Sequence, residues 1–195
     1  MNARQSILAA LRDSGRQRGT LPEPAAFASD QDASMQAFAK ALEAMNGQCI
    51  GPMPPQQALD TLFPQAARVV SVTPEVRGQR KITTNTDPRS LEDVEVAVLR
   101  APFGVAETGS VFVSEKVLVC NALAYYAQHL LVLLDPAQLV ASIHDAYARD
   151  EFSGTRYAAL ITGPSATADI EGVLVRGAQG PRSLSVCWCP TSQAS

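Results

Sequence analysis

The sequence predicts a layered α/β domain on a largely parallel, mixed sheet, with an antiparallel hairpin and an N-terminal helical segment. Three observations carry this expectation. Apolar runs of strand length recur at Val69 to Val72, Val94 to Leu99, Leu130 to Leu134, Ala158 to Thr162 and Leu184 to Trp188. Between them lie stretches with apolar residues three and four apart, the spacing by which a helix covers a sheet. Val111 and Val113 share a strand face, and Ser114-Glu115-Lys116 turns toward Val117 to Cys120, which reads as a hairpin.

The elements follow in order. Asn2 caps a first helix, with Gln5 completing a capping box and Ile7, Leu8 and Leu11 as its narrow apolar stripe. So thin a stripe needs a docking surface. Thr20 to Ser29 is a Pro- and Ala-rich linker. Met35, Phe38, Leu42 and Met45 mark a second helix, stopped by Gly47. Residues 1–47 are thus expected as a helical segment ahead of an α/β domain over 48–195. Pro54-Pro55 opens a helix carrying Ala58, Leu59, Leu62 and Phe63, and Arg77 to Asn85 is a basic stretch that reads as a solvated loop or as a patch that meets an anionic substrate. Ala122 to Gln128 is one helical turn. Asp135-Pro136 then opens a helix whose buried face is Leu139, Val140, Ile143 and Tyr147, with His144 packed at its edge. After the strand Ala158 to Thr162, Gly163-Pro164 breaks the chain. A helix opened by Ser165 or Thr167 carries Asp169 and Glu171 in its first turns, then Ile170, Val173 and Leu174, with Gly177 as its cap. A strand, a tight turn and a helix start make a ligand cradle.

Composition bounds the function. The chain has 195 residues, 46% of them apolar, and a net charge of −3. That suits a packed core and argues against nucleic acid as a partner. No apolar run approaches the length of a membrane span, and no signal-peptide core opens the sequence, so a cytoplasmic location is expected. The four cysteines, Cys49, Cys120, Cys187 and Cys189, form no Cys-x-x-Cys pair. No zinc ribbon or iron–sulfur cassette is written here, and no metal or other cofactor is identifiable. Cys187 and Cys189 share a strand face, as half of a metal site or a redox pair would, and read first as packed structure.

Glu107 is the candidate for chemistry. It lies between small residues at a strand entrance, beside Thr108 and Gly109, as a nucleophile, general base or metal ligand would, or simply as a turn glutamate. Gly104 and Gly109 have the separation of a phosphate loop, but Ser110 stands where that loop needs lysine.

Ala106-Glu107-Thr108-Gly109, the string Gly163-Pro164-Ser165-Ala166-Thr167-Ala168-Asp169-Ile170-Glu171, and Gly177-Ala178-Gln179-Gly180-Pro181 resemble the LUD-domain family, which includes lactate-utilisation protein C. The likeness runs from about Val69 to Trp188. It implies a Rossmann-type sandwich similar to the NagB/RpiA/CoA-transferase group. Family members are encoded beside iron–sulfur and oxidoreductase-like proteins and are assigned to oxidation of L-lactate to pyruvate. The implied ligand contacts are Thr108, Gly109, His129, Gly163, Pro164, Ser165, Thr167, Asp169, Glu171, Gln179 and Gly180. Gln179 replaces the family's usual histidine, so a general acid–base role there is not available near neutrality. The Arg and Pro that usually precede His129 are missing too.

Two function classes follow. One is an accessory or metabolite-binding component that takes a small anion and docks iron–sulfur or oxidoreductase subunits, with self-association into a homo-oligomer left open. The other is an autonomous acyl- or phosphoryl-transfer enzyme in which Glu107 attacks or positions substrate while Ser165 and Thr167 hold its anionic group.

Overall fold

The computed structural model describes residues 2–14, 32–168 and 172–191. Its central element is a five-stranded parallel sheet in the order β1-β11-β6-β3-β2. These strands are β1 (Gln48–Ile50), β2 (Val69–Ser71), β3 (Val96–Arg100), β6 (His129–Leu134) and β11 (Ser183–Trp188). Strand β6 lies in the middle of the sheet, and Leu130 to Leu134 is buried throughout, as expected for a strand covered on both faces.

Alternation sorts its residues. Leu131 and Leu133 join Val96, Val98 and Cys187 against α3 (Pro55–Leu62), which contributes Ala58 and Leu59. Leu130, Val132 and Leu134 face the other way, toward a second sheet. That sheet runs β7-β4-β5-β8, from β4 (Gly104–Val105), β5 (Ser110–Ser114), β7 (Leu139–Val140) and β8 (Ala158–Ile161). Val111 and Val113 point into the shared core, and Phe112 packs outward on Phe103 and Phe152.

Helix α2 (Met35–Ala44), capped by the Ser34 hydroxyl on Ala37 N–H, belongs to the body. It buries Phe38 and Leu42, with Phe38 edge-on to Trp188 at 5.3 Å. Helix α1 (Ala3–Asp13) has the expected Asn2–Gln5 capping box and buries none of its side chains. The linker Thr20 to Ser29 lies outside the described residues.

Three expectations are corrected. The hairpin partner at Val117 to Cys120 is instead α4 (Glu115–Leu118), and β5 pairs with β4 and β8. Glu115 turns the chain there by accepting the N–H groups of Arg156 and Tyr157. The helix after Asp135 is broken in two. Asp135 does cap Ala137 N–H, but Leu139–Val140 pairs with β4, and Ser142 starts a new short helix, α5 (Ile143–Tyr147), leaving Tyr147 and His144 exposed. Pairing with a strand remote in sequence overrides local helical spacing. The cradle helix after Gly163-Pro164 is absent among the described residues. Strands β9 (Ala166–Thr167) and β10 (Val175–Arg176) form an antiparallel hairpin instead. Gly172 at φ 70° cannot continue a right-handed helix, and Val173 and Leu174 find no core to cover.

Candidate functional site

In open parallel sheets the carboxyl ends of the strands are the usual binding edge. Here that edge is occupied by the protein's own groups. The Arg100 guanidinium, at the end of β3, ion-pairs with Glu75 and donates to the Cys189 carbonyl at 3.0 Å. Asp135, at the end of β6, accepts from Thr191 N–H at 2.9 Å. Nearby, burial pushes the Cys187 thiol up to about 11, and it pushes Cys49, in β1, up to about 12, as befits packed sulfurs.

The motif loops gather instead around the strand starts. Ser165 N–H donates to Pro181 O, Gly177 N–H donates to Ser165 O, and Arg182 N–H donates to Gln128 O just ahead of β6. Arg176 donates to Asn46 Oδ1 ahead of β1. Gly163, at φ 63°, crosses over the Met45 carbonyl, which leaves no room for a side chain. Three hollows that share lining residues adjoin here as compartments of a trough.

The first compartment, about 560 Å³, is lined by Glu107, Thr108, Ser110 and Thr162 against Met45 and Leu160. Glu107 is exposed at the turn between β4 and β5, and its Oε2 accepts the N–H of Ile143 at 2.9 Å. Thr108 and Ser110 hydroxyls are 2.7 Å apart, and Ser110 bonds on to Thr162, so a hydroxyl chain ties this turn to the end of β8. Thr162 and Leu160 also line the second compartment, about 330 Å³, with Gly163, Pro164, Ser165, Gln179 and Gly180. Tyr125, Gln179 and Gly180 continue into the third, about 400 Å³, which adds Tyr126, Gln128 and Arg182.

Glu107 and Ser165 therefore stand in neighbouring compartments of one trough. Thr108, Gly163, Pro164, Gln179 and Gly180 join them. Gly109 does not line it: at φ 65° it faces α2, where a Cβ would lie 2.5 Å from Leu42 Cα. Thr167 sits in β9, outside the lining, and Asp169 and Glu171 lie outside the described residues. His129 occupies the next hollow, about 390 Å³, beyond Gln128 and beside Phe63, whose ring centroid is 5.0 Å away. Its Nδ1 pairs with Ser183 Oγ at 2.7 Å. Burial and the nearby Arg182 charge hold His129 below its ordinary 6.5, against an opposing pull from Glu95.

Sequence reasoning did not select Ser110, Tyr125, Thr162 or Arg182. Arg182 follows the Gly180-Pro181 turn directly, which was the one available signal. Among the described residues no cluster of three or more His, Cys, Asp or Glu side chains could hold a metal ion, and no helix is long and apolar enough to cross a membrane.

A parallel sheet with α3 on one face, a second sheet and α2 on the other and a trough at its strand starts define a Rossmann-like α/β sandwich. The chain belongs to the LUD domain family, whose pattern matches residues 66–187. Its fold is similar to that of a DUF162 family protein from Deinococcus radiodurans, with a TM-score of 0.58 at 13% identity, covering 78% of this chain and 94% of that one. Comparison with curated proteins gives no match. Family membership supports a lactate-utilisation-related function at the level of the family.

Proposed function

We propose that this chain is an accessory, small-metabolite-binding component of the oxidation of L-lactate or a related organic acid to pyruvate. The observation that carries the reading is Arg182 in the third compartment, beside the glycine-rich loop 177–180 and the side chains of Tyr125, Tyr126 and Gln128. A guanidinium gives a carboxylate two parallel donors, and the tyrosine hydroxyls and amides suit a neighbouring hydroxyl or keto oxygen. The compartment at Glu107 has the opposite character, so a small anion belongs at the Arg182 end. The sequence writes no iron–sulfur cassette, so iron–sulfur or oxidoreductase subunits would carry the electrons.

Calorimetric titration with L-lactate, pyruvate and glycolate tests this. Losing a charge-assisted contact of ~1.5–3 kcal/mol weakens binding roughly 10- to 100-fold in Arg182→Gln. Arg182 is exposed, so the melting temperature should hold. Undiminished binding in Arg182→Gln, or no binding of any of the three acids to the wild-type chain, overturns the reading.

A further inference from the structure

We infer that the Glu107 end of the trough is a subsite for a primary ammonium group carried on a short apolar body. The compartment, of about 560 Å³, has apolar walls from α2 (Ala41, Ala44, Met45) and from Ile143 and Leu160. At its mouth stands an exposed carboxylate. One oxygen of Glu107 is held by Ile143 N–H at 2.9 Å, which fixes the side chain while the charge stays accessible.

The same compartment is lined by the linked hydroxyls of Thr108, Ser110 and Thr162. A hydroxyl can accept through its lone pairs while donating to a neighbour, so this chain offers acceptors as well as one another's donors. A primary ammonium brings a full charge and three N–H donors, which match one carboxylate oxygen and two hydroxyl oxygens. None of the described lining residues is a cation. A carboxylate or phosphate placed there would meet Glu107 charge to charge. An alcohol would gain the hydroxyl contacts without the attraction, and a quaternary ammonium would gain the attraction without the hydrogen bonds.

The inference shares the trough with the carboxylate reading but not its Arg182 end. The test is an amide-resonance titration of the full-length protein with n-butylammonium chloride, butan-1-ol and tetramethylammonium chloride. Butylammonium should shift Met45, Ile143 and Thr162 saturably and bind at least tenfold more tightly than either comparison compound. Glu107→Gln keeps an amide oxygen for Ile143 N–H and should weaken butylammonium at least tenfold. Thr162→Val, which removes an acceptor and leaves the carboxylate, should weaken it several-fold. Arg182→Gln should leave butylammonium binding unchanged, so the two ends fail separately. Absent binding to the wild type, equal binding of butanol or tetramethylammonium, or undiminished binding in Glu107→Gln each overturns the inference.

Discussion

Replacing Gly109 by alanine separates a packing role from a ligand-binding one. The residue sits in the left-handed region at φ 65°, which costs an alanine roughly 1–2 kcal/mol. Its Cα faces the backbone of α2, and an added Cβ would lie 2.5 Å from Leu42 Cα and 2.8 Å from the Ala41 carbonyl carbon. Neither is the free end of a side chain, so the helix must move, and overpacking of that kind adds about 1–3 kcal/mol. The sum is about 2–5 kcal/mol, and at roughly 2–4 °C per kcal/mol the melting temperature falls by about 4–20 °C. Gly154 supplies the comparison. It has nearly the same backbone, φ 67°, with no atom within 4 Å of its missing Cβ. Gly154→Ala should therefore show only the conformational part, about 1–2 kcal/mol. Thermal unfolding of both variants, followed by circular dichroism, gives the difference directly. If Gly109→Ala melts no lower than Gly154→Ala, the close approach of α2 is not what requires glycine at this motif position.

Two titrations probe the ends of the sheet. His129 has its folded pKa below the ordinary 6.5, so as pH falls the unfolded chain takes up the proton first. Stability should drop below about pH 6.5 toward the folded value, the drop should flatten in His129→Gln, and Arg182→Gln should raise the His129 pKa read by NMR. An unmoved His129 pKa in Arg182→Gln would place the guanidinium elsewhere. At the opposite edge, burial pushes Asp135 up, but the N–H groups of Thr191 and Ala137 more than offset it and hold its pKa below 3.8. Its contribution is complete above that value and lost as pH falls through the folded pKa. Asp135→Asn should therefore melt lower than wild type at pH 6, with the gap closing below about pH 4. A gap independent of pH would refute the linkage.

Four of the five strands of the parallel sheet were legible in the sequence because burial leaves an apolar run, whereas the short edge strand β1, only partly buried, shows none. Leu130 to Leu134 and Leu184 to Trp188 are the clearest cases, and both are core strands. The Asn2–Gln5 capping box, the Pro55 helix start and the apolar spacing of α2 were legible too, since their determinants lie within a few residues of each other. The motif strings carried the resemblance to the LUD-domain family, and the family match over residues 66–187 bears it out.

What tertiary structure decided is everything that rests on remote partners. Leu139–Val140 has helical spacing but extends because β4 offers it a ladder. Ser165 starts no helix among the described residues, because its backbone closes on Pro181 and Gly177 across the chain. The trough is of the same kind. Thr162 became a lining residue by standing opposite Ser110, and Arg182 by following Gln128 across two adjacent strand starts. Local sequence fixes which backbone states and faces are cheap, whereas the neighbours that reward one choice over another are brought together only by the folded sheet.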